Sequence, residues 1–208
     1  KCSNLKSIKF GNGLKRIEAF AFNECYSLES IVIPASVEYI HHLAFYACDS
    51  LESIVVDPKN ELYDSRDNCN AIINTYSNTL IIGCADSSIP EGVTTVGEDA
   101  FMGCKALVGI GIPDSVTSIG DWAFAYCDYL DEIRIPKSVT SIGKWAFEYC
   151  TSLVEVVISN GVTRIGEGAF SACTSLISIV IPDSVTEIGK DAFWECESLE
   201  SIVVDSNN

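Results

Sequence analysis

The stretch "SIGDWAFAYCDYLDEIRIP", Ser118–Pro136, is followed by "KSVTSIGKWAFEYC", residues 137–150, in which the same order of residues begins again. The phenylalanines of the "AF" pairs measure the period, because they stand 23 residues apart in every interval but one. The exception, Phe45 to Phe101, spans 56 residues, or one unit of 23 and one of 33. Cysteines keep the same period over eight units. The chain is therefore predicted to be an array of stacked repeats.

Each unit predicts three short elements. Leu130–Ile135 ends in period-two alternation, which is typical of a short strand with its isoleucines buried, and Pro136 ends the strand because proline lacks a backbone donor. Residues 138–143 predict a second extended run, and residues 144–150 predict a single helical turn. Since a unit of this size cannot bury its apolar face alone, parallel stacking is expected to form one continuous core.

The shared motif, LxxIxIPxSVTxIGxxAFxxC, resembles the BspA-like (Treponema-type) leucine-rich repeats, and the match covers residues 2–56 and 93–204. The resemblance implies an α/β leucine-rich-repeat solenoid of 23-residue units, with short parallel strands and single helical turns, forming one domain over residues 1–208. It also implies a cell-surface or secreted protein of host-associated bacteria that binds proteins or adheres to a host. No cofactor is expected.

Residues 57–92 interrupt the period. Two apolar runs flank "NTYSNT", residues 74–79, and predict an inserted β-hairpin. If the turn centres on residues 76–77, Cys69 lies opposite Cys84, and the two could form a disulfide. The alternative is a pair of free thiols in a small apolar cluster.

The repeated cysteine, exemplified by Cys127, has the same position in every unit. A nucleophile or a metal site would require a few special cysteines with partners, so this position predicts a small buried hydrophobic residue. Disulfides between neighbouring units are disfavoured, because stacked parallel side chains point the same way.

Composition excludes several functions. A net charge of −16 argues against nucleic acids and anionic membrane surfaces as partners. The sequence contains no run of about 18 consecutive apolar residues, so membrane insertion is not predicted. His41 and His42 are the only histidines and should point to opposite sides of an extended segment, so no metal site is predicted. Catalytic sets and nucleotide-binding loops are not recognisable, and the chain is predicted not to be an enzyme.

Two surfaces are candidate binding sites. The first is the outward side of the strands, expected to be concave and bearing Val32, Val55, Glu132, Arg134, Glu155, Val157 and Val180. The second is an aromatic patch formed by Trp122, Tyr126, Tyr129, Trp145 and Tyr149. Valine in these positions also reflects strand propensity, and the aromatic residues could be a partly buried flank.

These observations predict a non-enzymatic recognition module that binds a protein, such as a host matrix or surface protein. A glycan-binding module and a passive spacer within a longer surface protein are the alternatives. A binder should concentrate unusual residues in one or two units, as residues 122–149 do, whereas a spacer should vary evenly.

Overall fold

The computed structural model describes residues 1–204, so the last four residues of the predicted 1–208 domain lie outside the described part. Sixteen short strands occur in residues 1–204: β1 (Arg16–Ile17), β2 (Ser30–Ile33), β3 (Tyr39–Ile40), β4 (Ser53–Val56), β5 (Tyr63–Asp64), β6 (Ile72–Asn74), β7 (Thr79–Ile82), β8 (Thr95–Val96), β9 (Ser118–Ile119), β10 (Glu132–Ile135), β11 (Ser141–Ile142), β12 (Glu155–Ile158), β13 (Arg164–Ile165), β14 (Ser178–Ile181), β15 (Glu187–Ile188) and β16 (Ser201–Val204).

The four-residue strands outside the insert form one side of the coils that contain them, as the LxxIxI pattern predicts. They pair in parallel as β2–β4, β10–β12 and β14–β16, with partners one repeat apart, such as Ile133 and Val156. In β10 the alternate residues Ile133 and Ile135 are buried and the others are exposed. No strand forms at residues 109–112, "GIGI", where glycine weakens pairing.

A second side carries an eight-stranded sheet with the order β15-β13-β11-β9-β8-β7-β6-β5, while β1 and β3 of the N-terminal coils form a separate parallel pair. The eight-stranded sheet is parallel from β15 to β7 and ends in the antiparallel strands of the insert, which confirms the predicted hairpin. The coils approach each other closely beside this sheet, since a Cβ on Gly143 would lie 2.4 Å from the backbone of Gly120. Glycine at this corner therefore permits the spacing of the stack.

On the third side of the coils, the structure shows that the predicted helical turns are wrong. Apart from a 3₁₀-helix at Arg66–Asn68, the described residues contain no helix, and the "AFxxC" segments are successive turns. Alternate N–H groups in residues 122–126 donate to carbonyls of residues 144–148 at 2.7–2.8 Å. Trp122 and Tyr126 have φ of 58° and 60°, which an α-helix cannot accommodate. The molecule is thus a β-solenoid and lacks the α/β character that was predicted.

Stacked phenylalanines fill the interior. From Phe101 to Phe193, successive rings lie parallel with centroids 5.0 to 5.7 Å apart. The core nevertheless divides into two clusters at the inserted hairpin. Ile72 and Ile82 pack with the N-terminal cluster, whereas Ile73 and Leu80 pack with the C-terminal cluster. The hairpin is therefore a two-sided wall between the cores.

No helix in the described part of the chain is long and apolar enough to cross a membrane.

Candidate functional site

The outward side of the long strands, here called the strand face, carries all seven residues that the sequence placed there. Val32 is 55% exposed, and Val157 is half-buried. The guanidinium of Arg134 lies 3.1 Å from the Glu155 carboxylate, and both side chains are mostly exposed. In register, Glu132 lies directly opposite Glu155. Two like charges in that arrangement cost stability, and the ion pair between Arg134 and Glu155 offsets part of this cost.

A depression of about 250 Å³ lies in the strand face beside these charges. Gly109 and Gly111 line it together with Ile110, and the side chains of Glu132 and Arg134 form its other wall. A Cβ on either glycine would meet no atom within 4 Å, so nothing in the fold requires glycine there. The sequence analysis did not single out this feature, although two glycines where other repeats carry serine and valine were its signal.

The structure brings together four of the five aromatic-patch residues as two stacks. Trp122 and Trp145 stack with ring centroids 5.7 Å apart, and Tyr126 and Tyr149 stack at 5.1 Å. Tyr129 stands at 63% exposure and forms no such stack.

Parts of the patch are packed into the fold. The indole of Trp145 lies so close to Gly168 that a Cβ there would come within 2.0 Å of it. Beside Tyr126, the Glu148 carboxyl is buried, and burial raises its pKa above the ordinary value for glutamate. The accessible part of the patch is therefore chiefly Tyr129 and Tyr149.

Four repeat cysteines are buried as predicted, three are partly buried and Cys2 is exposed; the buried four are Cys25, Cys127, Cys150 and Cys173. In the C-terminal coils the thiols donate to the preceding coil. From Cys127 to Cys196, each Sγ lies 3.1 to 3.3 Å from the phenylalanine carbonyl 26 residues upstream. Burial raises the pKa of the Cys127 and Cys150 thiols well above the ordinary value. These thiols therefore act as packing groups and not as nucleophiles.

Cys69 and Cys84 are both buried and both free in the structure, which agrees with the free-thiol alternative and not with the disulfide. They pack in different clusters, Cys69 with the C-terminal core and Cys84 with the N-terminal core. The Cys84 thiol lies 3.3 Å from the Asn70 carbonyl, and the Cys69 thiol lies 3.9 Å from the Ala71 carbonyl. Each sulfur thus has an acceptor of its own.

A third site, which the sequence analysis missed, lies between the coil that contains Phe45 and the coil that contains Phe101; we call it the seam. Counted from the coil of Phe22, and with the insert as the third, these are the second and the fourth coils. A Cβ on Gly103 of the fourth coil would lie 3.4 Å from the Tyr46 ring of the second. At the seam, potential ligand atoms of His42, Glu98 and Asp99 lie within 4.8 Å of one another. Burial, followed by the charge of Glu98, raises the pKa of Asp99 to about 6.

An apolar groove of about 360 Å³ adjoins the seam. It is lined by Phe20, Leu43, Tyr46, Glu98, Asp99, Met102 and Trp122. The insert creates this arrangement, because its residues 57–92 contain no "AFxxC" turn of their own and leave the turns of the second and fourth coils in contact. In the sequence, the 56-residue interval between Phe45 and Phe101 was the feature that could have indicated this contact.

The two histidines do not diverge as expected. The rings of His41 and His42 contact each other edge to face, with centroids 4.2 Å apart. His41 accepts the backbone N–H of Leu43 at Nδ1, whereas Nε2 of His42 lies 3.6 Å from the Asp99 carboxylate. Of the two imidazoles, only that of His42 places a ring nitrogen within 4 Å of the Asp99 carboxylate.

The sequence matches the profile described as the BspA type leucine rich repeat region, in six copies over residues 1–81 and 71–200. Among proteins of curated function, no sequence matches this chain.

Solved structures share the fold. A leucine rich cell surface protein from Faecalibacterium prausnitzii is 30% identical with a TM-score of 0.81, over 100% of this chain and 62% of its own. A leucine-rich repeat protein from Eubacterium ventriosum is 30% identical with a TM-score of 0.84, and the match covers 95% of this chain and 54% of that protein. A leucine-rich repeat protein from Bacteroides ovatus is 32% identical with a TM-score of 0.61, and the match covers 90% of this chain and 40% of that protein.

This chain thus spans between 40% and 62% of the length of these three proteins. The repeat motif, the stacked coils and the profile match over most of the chain agree with one another. The chain belongs to the BspA-type leucine-rich-repeat family.

Proposed function

We propose that this chain is a protein-binding repeat module of a bacterial cell-surface protein, and that the strand face is its binding surface. The observation that carries the proposal is the depression beside Glu132 and Arg134. It is a recess with exposed charges at its wall, on a face whose valines remain in solvent. A protruding side chain of a partner could enter this recess while its neighbours cover the valines.

Charge narrows the class of partner. With a net charge of −16, the module attracts partners that present basic groups around the contact, and this attraction accelerates association at low salt. A host extracellular-matrix or surface protein with a basic patch is the partner that we propose. Secretion or surface display follows from this role, and it is supported by a relative described as a cell surface protein.

The test is a binding screen against extracellular-matrix proteins and host glycans, with variants that separate the two surfaces. Gly111→Tyr fills the depression without a steric clash, since a Cβ at Gly111 meets no atom within 4 Å. Gly11→Tyr is the matched control, because Gly11 is equally open and lies outside the depression. A Tyr129→Ala/Tyr149→Ala double variant removes the accessible part of the aromatic patch.

We expect a matrix protein to bind the wild type and the Gly11→Tyr variant, and Gly111→Tyr to weaken that binding at least about tenfold, as loss of a central contact does. Binding lost only in the tyrosine double variant would move the site to the aromatic patch. A hit confined to glycans would favour a carbohydrate-binding module. A folded protein that binds nothing in the screen would favour the passive spacer.

A further inference from the structure

We propose that His42, Glu98 and Asp99 form a binding site for a divalent transition-metal ion at the seam. The ligand atoms come from two coils that are separated in sequence by the inserted hairpin. One imidazole and two carboxylates would hold the ion, and the exposed side of Glu98 leaves a position open for water.

The distances suit such an ion. Nε2 of His42 and Oδ2 of Asp99 are 3.6 Å apart. Two ligands that each lie about 2.0–2.2 Å from a tetrahedral zinc ion are separated by roughly 3.4 Å. The three ligand atoms lie within 4.8 Å of one another, so a small rotation of the exposed Glu98 side chain would complete the set.

A second observation is independent of this clustering. The Asp99 side chain is only 8% exposed, and within residues 1–204 no hydrogen bond is donated to its carboxylate. Buried carboxylates are ordinarily paired, hydrogen-bonded or bound to a metal, because an isolated buried charge is costly. The basic side chain that lies within 4 Å of the Asp99 carboxylate is His42, whose Nε2 is 3.6 Å away, beyond hydrogen-bond distance.

The donor set indicates the class of metal. Imidazole nitrogen with carboxylate oxygen suits zinc and neighbouring first-row divalent ions, whereas calcium and magnesium prefer sets made entirely of oxygen. His42 presents Nε2 to the site, while the neighbouring His41 already uses Nδ1 as an acceptor for a backbone N–H. We therefore assign the ligand role to His42 and not to His41.

An ion at this position would connect the second coil to the fourth. His42 lies in the half of the molecule that contains the N-terminal core, and Glu98 and Asp99 lie in the half that contains the C-terminal core. Because a ligand that binds only the folded state stabilises it, metal binding would raise the melting temperature of the protein.

The experiment uses the full chain after dialysis against a chelator. Zinc and, separately, calcium are titrated by calorimetry. Cobalt is titrated by visible absorption, which distinguishes nitrogen and oxygen ligands from cysteine thiolates. The variants are His42→Gln and Asp99→Asn. The array supplies a matched control, Asp191→Asn, because Asp191 occupies the same repeat position as Asp99, with the same φ of 56°, far from any histidine.

We expect one ion per chain, a cobalt spectrum without thiolate charge transfer, and a zinc-dependent rise in melting temperature. His42→Gln and Asp99→Asn should each weaken zinc binding at least about tenfold, while Asp191→Asn should bind as the wild type does. The proposal is overturned if the wild type binds neither metal. It is also overturned if both variants bind zinc unchanged, or if calcium binds as tightly as zinc.

Discussion

From Cys127 to Cys196, each repeat cysteine packs into the core with its thiol against a carbonyl of the preceding coil. For Cys150 the acceptor is the Phe124 carbonyl, 3.2 Å away. The same contact recurs at Cys173 with Phe147. A sulfhydryl is small enough to pack in the same core as the stacked phenylalanines and can still donate to a backbone oxygen.

Native-state alkylation should therefore discriminate among the cysteines. At about pH 8.5, iodoacetamide should modify the exposed Cys2 and leave Cys127 and Cys150 unmodified, because burial both blocks access and raises the pKa of these thiols. Because a raised pKa means that the reactive thiolate forms only at higher pH, these two thiols should stay unreactive in moderately alkaline buffer. Peptide mass spectrometry measures the outcome.

The same alkylation in guanidinium without reductant tests whether the two cysteines of the insert are free. Because Cys69 and Cys84 are free in the structure, both should be alkylated once the chain unfolds. Protection of this pair alone would establish the disulfide. Native labelling of Cys150 at the rate of Cys2 would contradict the buried ladder.

The turn segment is the element in which local geometry departs most from the sequence-based prediction. In most coils, the residues two before and two after the repeat phenylalanine have positive φ, as at Asp191 and Glu195, both at 56°. A residue with a Cβ adopts this left-handed conformation at a cost of roughly 1–2 kcal/mol. The inter-coil hydrogen bonds along the turns, and burial of the phenylalanine between them, offset this cost.

Glycine should relieve the strain where the side chain contributes little. Glu195→Gly is expected to raise the free energy of unfolding by about 0.5–1 kcal/mol, because relief of the left-handed strain exceeds the added entropy of the unfolded chain. Glu197→Gly is the control, since Glu197 is also exposed but does not have positive φ, and it should lower that free energy by about 0.5–1 kcal/mol. Urea unfolding measures both. Equal effects of the two substitutions would contradict the assigned turn geometry.

At the scale of the whole molecule, the inserted hairpin divides the solenoid into two cores and forms the end of the second sheet, since within residues 1–204 strand β3 of the N-terminal coils pairs only with β1. Strand β7 pairs in parallel with β8, so the hairpin replaces one coil of that sheet. Its successive residues Ile72 and Ile73 face opposite cores. In a stack where each coil contacts only its neighbours, such a wall separates two regions that can open independently.

Shortening a side chain on one face of the inserted hairpin should therefore destabilise mainly the core that this face contacts. Ile72→Ala and Leu80→Ala should each cost about 2–5 kcal/mol, since both side chains are fully buried. Hydrogen exchange should accelerate mainly in residues 17–56 for Ile72→Ala, and mainly from residue 93 onward for Leu80→Ala. The same exchange pattern in both variants would show that the solenoid is one cooperative unit.

The sequence by itself determined the period, the stacking and the side of each strand that is buried. These features follow from short-range regularities, because a residue type that recurs every 23 positions meets its own copy in the next coil. Ile133 and Phe147 could be placed in the core for that reason. The hairpin was predictable too, since its apolar runs and turn residues are adjacent in the chain.

Only the tertiary structure decided the geometry of the turns and of the sites. The spacing of apolar residues in "KWAFEYC" fits one helical turn, and hydrogen bonds to the next coil select left-handed residues instead. His42 and Asp99 are 57 positions apart and meet only because of how the insert folds. The depression at Gly109 depends on the neighbouring charged side chains. Each of these arises from contacts between coils, which the pattern within one repeat does not encode.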